Sequence, residues 1–166
     1  MTFSDVRPRI SRRSLFQCLV ATAFIALTFL AMDVFVGAGL VSSLGASTFI
    51  VLAMPHTRAA RTDALMGGYI LGTFFGTMCS LLTQVTWLHF LGVSPIYLRY
   101  VAGGLAVGLT MLAMVSINVG HPPAAGLALG YALDPWDLRT VIFVLAAGLL
   151  LAMVKRVFRR RLRDLT

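Results

Sequence analysis

Pro122 and Pro123 stand side by side in an otherwise apolar stretch, Asn118 to Leu133, which reads NVGHPPAAGLALGYAL. Each proline removes a backbone donor and disfavours the helical conformation in the residue before it, so no continuous helix can pass through this point. The apolar helix pattern therefore breaks at Gly120, crosses His121-Pro122-Pro123 and restarts as a short run of small residues. In water such a break is an ordinary turn. In a bilayer, non-helical backbone is tolerated only where it is buried in protein or lines a wet cavity, so a break at membrane depth marks a candidate site.

The composition places the chain in a membrane. Of its 166 residues 58% are hydrophobic, mean hydropathy is +0.88, and only 12% are charged, about half the share in a soluble globular domain. Such a chain is an integral membrane protein. The net charge of +8 and pI near 10.8 would suit nucleic acid, but the basic residues sit at the two ends and in one short loop. Anionic lipid headgroups are the expected counter-ions, and no nucleic-acid partner is expected. Cys18 and Cys79 lie in apolar segments without metal-ligand or redox spacing, and both read as core packing residues. No metal or other cofactor is expected.

Three regions follow: a basic tail over 1–14, a single transmembrane domain over 15–154, and a basic tail over 155–166. The first span is predicted from Leu15 to Val36, with Asp33 at its far interface. Gly39 to Met54, ending at Pro55, is a shorter segment that reaches about 24 Å against a hydrocarbon core of ~30 Å. The loop from His56 to Asp63 carries Arg58 and Arg61. A long span, Ala64 to Leu91, repeats Gly68, Gly72, Gly76 and Ser80 every four residues, which predicts close helix packing on that face; Trp87 and His89 suit an interfacial belt. A loop with Gly92, Ser94 and Pro95 leads to the next span, Tyr100 to Val119, with a small-residue edge at Gly104 and Gly108. After the Pro-Pro segment, Asp134-Pro135-Trp136-Asp137 reads as a turn, Leu138 to Val154 as the last span, and the Arg-rich tail as a cytoplasmic membrane-surface anchor.

The predicted fold is all-α: a polytopic transmembrane helix bundle with four full spans plus two short helices, broken or re-entrant. If all six segments cross, twelve of the fourteen Lys and Arg share the cytoplasmic side with both termini, and only Arg99 and Arg139 lie outside. If both short segments fold back, the division is eleven against three, so charge does not separate the two topologies; length favours six elements. The short segments then occupy the middle of two oppositely directed halves, a 3+3 inverted repeat of the kind that frames transporter sites. Placing Gly45-Ala46-Ser47 on Ala125-Gly126-Leu127 also places Pro55 on Pro135.

The chemistry at the breaks is expected to be that of backbone. A helix opening on Pro-Pro leaves the amides of Ala124, Ala125 and Gly126 free at the positive end of its dipole, where an anion fits. The stretch from Ser43 to Ser47 is expected to start a second half-helix, with free amides and hydroxyls of its own. His121 can donate to an oxyanion, relay a proton or cap the broken backbone. The candidate binding set is Asn118, His121, Pro122, Pro123, Ala124, Ala125 and Gly126, with Ser43, Gly45, Ala46 and Ser47 from the first half.

Gly120-His121-Pro122-Pro123-Ala124-Ala125-Gly126, with Gly45-Ala46-Ser47, Pro55 and Gly67-Gly68, resembles the HPP family of small integral membrane proteins over roughly residues 37 to 155. The resemblance implies a transmembrane fold usually described as four helices, and a transporter, some plastid and cyanobacterial members being linked to nitrite. It assigns the motif role to His121, Pro122 and Pro123, and the matching first-half role to Gly45, Ala46 and Ser47. The chain departs from the family pattern at Leu127, where a threonine is common, and at Tyr69, where a histidine often follows the glycine pair. A transporter or channel for a small inorganic anion such as nitrite, in a bacterial inner membrane, is the expected function. A structural or assembly membrane protein, open to homo-oligomers, is the alternative. An enzyme is not expected, because no nucleophile, paired acids or metal-ligand cluster appears.

Overall fold

With no water to bond an exposed backbone, apolar runs in a membrane form helices. A computed structural model describes residues 11–30, 37–84, 94–134 and 137–165, and over these the chain forms six α-helices and no strand. They are α1 (Arg12–Leu30), α2 (Ala38–Ala53), α3 (Thr62–Thr83), α4 (Pro95–Ser116), α5 (Pro123–Leu133) and α6 (Leu138–Phe158), with a 3-10 turn at Arg58–Ala60. Three of them, α3, α4 and α6, are long and apolar enough to cross a membrane. The expected first span is described only as α1, and its remainder to Val36, with Asp33, lies outside the described residues, as do Trp87, His89, Pro135 and Trp136. Pro95, expected in a loop, opens α4 instead, a position where the missing N–H would have had no helical partner.

The short α5 is the centre of the bundle. Its buried face takes Pro123, Ala124, Leu127, Ala128, Gly130, Tyr131 and Ala132, and it packs on α2, α3 and α4. Against α3 the approach is set by glycine. A Cβ on Gly72 would lie 2.5 Å from the Ala124 carbonyl oxygen, one on Gly76 2.7 Å from the Ala128 carbonyl oxygen, and one on Gly68 2.9 Å from the His121 Cβ. The glycine face of α3 thus packs a helix, as its spacing predicts. The edge on α4 does not: Gly104 and Gly108 face outward with open space before them, and Gly103, Ala102 and Ala106 turn inward instead.

These contacts also fix directions. The ascending order of Gly68, Gly72 and Gly76 along Ala124, Leu127 and Tyr131 makes α3 and α5 parallel. α2 passes α5 the other way, with Gly39 at Gly130, Ser43 at Gly126 and Ser47 at His121. Gly148 of α6 lies on Tyr69, while Val141 and Leu145 line a groove with later turns of α3, so α6 runs against α3. Gly103 meets Leu129 and Leu133, and Val119, just past α4, lies on Gly67, so α4 is antiparallel to both. Gln17, early in α1, bonds the Leu52 carbonyl at the end of α2. Successive helices therefore alternate in direction. Arg12, Arg13, Arg58, Arg61, Lys155, Arg156, Arg159, Arg160, Arg161 and Arg163 gather at one end, and Arg99 and Arg139 lie at the other.

The main core joins Leu40, Leu44 and Leu52 of α2 to Leu65 and Tyr69 of α3, Leu127 and Tyr131 of α5, and Phe143, Val144 and Leu151 of α6. Cys79 is buried in a second, alanine-rich cluster between α3, α4 and α5. Cys18, expected to pack inward, is exposed, because α1 turns Gln17 into the bundle and its neighbour outward. The basic tail also differs from a free surface anchor. α6 continues to Phe158, Leu162 is buried, the Leu165 amide caps the Ala53 carbonyl, and the Gln17 amide bridges the carbonyls of Leu52 and Arg163. The orphan carbonyls at the end of α2 are thereby satisfied by tertiary partners.

Gly72→Ala must push α5 off α3, at a cost of about 1–3 kcal/mol; Gly104→Ala meets nothing. Thermal unfolding in detergent should show a clear loss of Tm for the first and none for the second.

Candidate functional site

Helix α4 ends as its last residues dictate. Asn118 adopts the left-handed conformation, φ 58°, the only non-glycine to do so among the described residues. Its amide bonds the Val115 carbonyl (3.2 Å) and the Val119 amide bonds the Met114 carbonyl (3.0 Å), the pair that defines a Schellman termination. Asparagine tolerates this conformation better than other side-chain-bearing residues. It also keeps a side chain: the Arg58 guanidinium donates to its Oδ1 at 3.0 Å. Beyond the turn, Gly120 opens onto a cavity of about 200 Å³ shared with Arg58, Arg61, Asp63, Ala64 and Asn118. Arg61 is committed to Asp63 through two bonds of 3.0 and 2.8 Å, so the net charge of this vestibule comes from Arg58.

His121 lies beneath the vestibule, opposite Gly68 and so about 9 Å along α3 from its Thr62 end. It is fully buried. Its Nδ1 sits 2.8 Å from the Ala59 carbonyl oxygen and its Nε2 3.0 Å from the Ser47 hydroxyl. A carbonyl only accepts, so Nδ1 carries the proton and, in the neutral ring, Nε2 accepts from Ser47. The ring therefore ties the loop after α2 to α2 itself and to the start of α5. Tyr69, the departure from the family pattern noted above, packs tilted against it with centroids 5.9 Å apart.

The two half-helix starts differ from expectation. The Ala124 amide bonds the His121 carbonyl at 2.9 Å and the Ala125 amide the Pro122 carbonyl at 3.1 Å, so these donors are closed by a tightened first turn instead of standing free. In the first half no helix starts at Ser43 to Ser47. α2 begins at Ala38, so the amides of Gly45, Ala46 and Ser47 fall inside it. Gly45 and Ala46 face outward; Ser43 packs on Gly126, and Ser47 bonds His121. Small residues suit a helix interior packed at close quarters as well as a helix start, and here the packing decided. The amino ends of α2 and α5 lie apart, since antiparallel helices bring the start of one to the end of the other: Gly37 lies against the Asp134 carboxylate, which burial pushes above the usual carboxylate range. The structure thus brings Ser47 to His121 and, one turn away, Ser43 to Gly126, sets Asn118 against Arg58 at the surface, and leaves Pro122, Gly45 and Ala46 exposed.

Below His121 the core stays polar along one line. Tyr69, Thr73 and Thr77 repeat every four residues on α3, and their hydroxyl oxygens are buried without hydrogen-bond partners, although Thr73 and the half-buried Thr77 also border the outer groove between α3 and α6. The Tyr69 hydroxyl is turned toward Ser47 and the Thr73 hydroxyl toward Tyr131, both too far or too poorly aligned for a hydrogen bond of normal geometry. The Tyr131 hydroxyl donates to the Thr140 carbonyl at 3.3 Å, and Thr140 donates through its amide and hydroxyl to Asp137, at the end opposite the basic cluster. Arg58, Tyr69, Thr73 and Tyr131 are absent from the sequence-derived set. The four-residue hydroxyl spacing beside the glycine stripe was a usable signal; nothing local marked Arg58, sixty positions from Asn118.

The transmembrane-region model of the HPP family matches residues 7–164, nearly the whole chain. No curated protein matches it. No solved structure does either.

Asn118→Ala should cost about 1–2 kcal/mol through the left-handed backbone, whereas Asn118→Gly keeps the turn and removes only the Arg58 contact; Tm values in detergent separate the two. Ser47→Ala leaves a buried ring nitrogen unpaired and should cost about 1–3 kcal/mol in the same assay.

Proposed function

We propose that this chain, which belongs to the HPP family of transmembrane proteins, is a transporter or channel for a small inorganic anion such as nitrite, without bond-making chemistry of its own. The observation that carries this reading is a seam of polar side chains that runs from one end of the bundle to the other. It runs from Arg58 and Asn118 at the basic end, past His121 and Ser47, along Tyr69, Thr73 and Tyr131, to Thr140 and Asp137. Buried hydroxyls without partners carry a free-energy penalty that a merely structural core would shed by using phenylalanine and valine. A partly dehydrated anion offers such hydroxyls an acceptor, and Arg58 offers it a positive entrance. In this reading His121 holds the entrance in shape through Ala59 and Ser47, and the anion meets hydroxyls and Arg58 in place of free helix amides.

The orientation follows the charges. With the basic end and both termini in the cytoplasm of a bacterial inner membrane, all six helices cross, four as full spans and α2 and α5 as short elements completed by extended backbone. The alternation of helix directions supports the two oppositely directed halves of an inverted repeat. A second reading, a structural membrane protein, has one observation in its favour: both ring nitrogens of His121 and the Ala124 and Ala125 amides already have protein partners.

The two readings part at Tyr69→Phe. Removing an unpaired hydroxyl should leave Tm unchanged or raised, yet lower nitrite flux into proteoliposomes roughly tenfold if one polar step worth about 1.4 kcal/mol is lost. Arg58→Gln should lower it as well. If the parent moves no small anion faster than empty vesicles, the transport reading fails; if Tyr69→Phe moves it unchanged, the seam is not the path. For orientation, cysteines introduced one at a time at His56 and Arg139 in a Cys18→Ser background, where the remaining Cys79 is buried, should label from opposite sides of the membrane.

A further inference from the structure

On the outer face of the basic end, a groove of about 510 Å³ runs between the start of α3 and the last turns of α6. It is lined by Thr62, Leu149, Ala152, Met153, Lys155, Arg156 and Arg159. We infer that this groove is a binding site for one anionic phospholipid, with its phosphate between Arg156 and Arg159 and the upper part of an acyl chain along Leu149, Ala152 and Met153. The assignment stands independently of what the seam conducts.

Two features of the groove match such a lipid. The first is the order of its chemistry with depth. At 1.5 Å per residue, Arg159 to Lys155 covers about 6 Å of helix and Lys155 to Leu149 about 9 Å more. A leaflet's polar layer is about 5–8 Å deep. The cations thus share the depth of headgroups and the apolar wall that of the first acyl carbons. A free phosphate uses only the upper half of such a site.

The second is unspent charge. Arg61 and Asp63 neutralise each other, and Arg161 lies over the Phe16 ring. Lys155 donates to the Ala60 carbonyl and feels Asp63 and Asp164. Among the described residues, Arg156 and Arg159 have no ion pair or hydrogen bond from their side chains, and no carboxylate lines the groove. Two unpaired guanidiniums a helical turn apart form a fork for phosphate oxygens, and a headgroup with net negative charge leaves them better neutralised than a zwitterionic one.

Native mass spectrometry of the protein in detergent, titrated with dioleoyl-phosphatidylglycerol or dioleoyl-phosphatidylcholine, tests the site. The parent should retain one phosphatidylglycerol per chain at concentrations where phosphatidylcholine is lost. Arg156→Gln with Arg159→Gln should weaken that retention about thirtyfold, from five- to sixfold per charge. Met153→Trp, which fills the apolar wall and leaves the charges in place, should weaken it too. Arg12→Gln with Arg13→Gln, at the same end but off the groove, should leave it within about twofold, because solvent and salt screen charges that do not touch the bound headgroup. Equal retention of the two lipids overturns the proposal. So does an equal loss in the Arg12 and Arg13 variant, which would mean diffuse surface charge. Full displacement by millimolar inorganic phosphate, with Met153→Trp indifferent, would mean an anion site without a lipid chain.

Discussion

Between α4 and α5 the backbone leaves the helical conformation inside the bundle, and each polar group it frees must find a partner within the protein. The chain meets this demand locally first. Asn118 turns the end of α4 left-handed so that two of its last carbonyls are closed by the amides that follow. On the other side of Pro122, a tightened turn closes the first amides of α5. His121, at the break itself, ties it to the rest of the bundle, its ring reaching both the Ala59 carbonyl and the Ser47 hydroxyl.

That arrangement is tenable only because α3 lets α5 come close. With side chains at Gly68, Gly72 and Gly76, the carbonyls of Ala124 and Ala128 could not lie against α3, and a helix of eleven residues would lose the burial that holds it. In a membrane, where lipid tails are as apolar as leucine, such contact and the dispersion attraction it permits stand in for the hydrophobic effect. The short helix is thus held at the centre by its neighbours and not by its own length. At the basic end the returning tail does related work, closing the carbonyls of α2 with Gln17 and Leu165.

The same packing leaves a row of hydroxyls on α3 turned toward Ser47 and Tyr131 without hydrogen bonds. A glycine stripe and a hydroxyl stripe one residue apart give α3 two jobs. One face seats α5; the next keeps the interior polar from the level of His121 downward. Polar lining and packing are therefore hard to separate by substitution at Gly68 or His121, and are separable at Tyr69 and Thr73, whose hydroxyls make no hydrogen bond.

Much of this was legible in residues taken a few at a time. The membrane environment, the apolar elements, the break at Gly120 to Pro123 and the packing face at Gly68, Gly72 and Gly76 follow from transfer free energies and backbone preferences that each residue carries with it. Partner choice does not follow that way. Gly104 and Gly108 have the same spacing as the α3 stripe and yet face outward, because spacing marks a face without saying what lies opposite. Gly45 to Ser47 fit a helix start by composition and sit inside α2, because small residues serve close packing equally well. Arg58 meets Asn118 across sixty positions, and the tail closes α2 across more than a hundred. By itself the sequence determined where the helices had to form and where one had to break. Only the tertiary structure decided which polar groups that break would meet, since those energies depend on distances in space that no local pattern encodes.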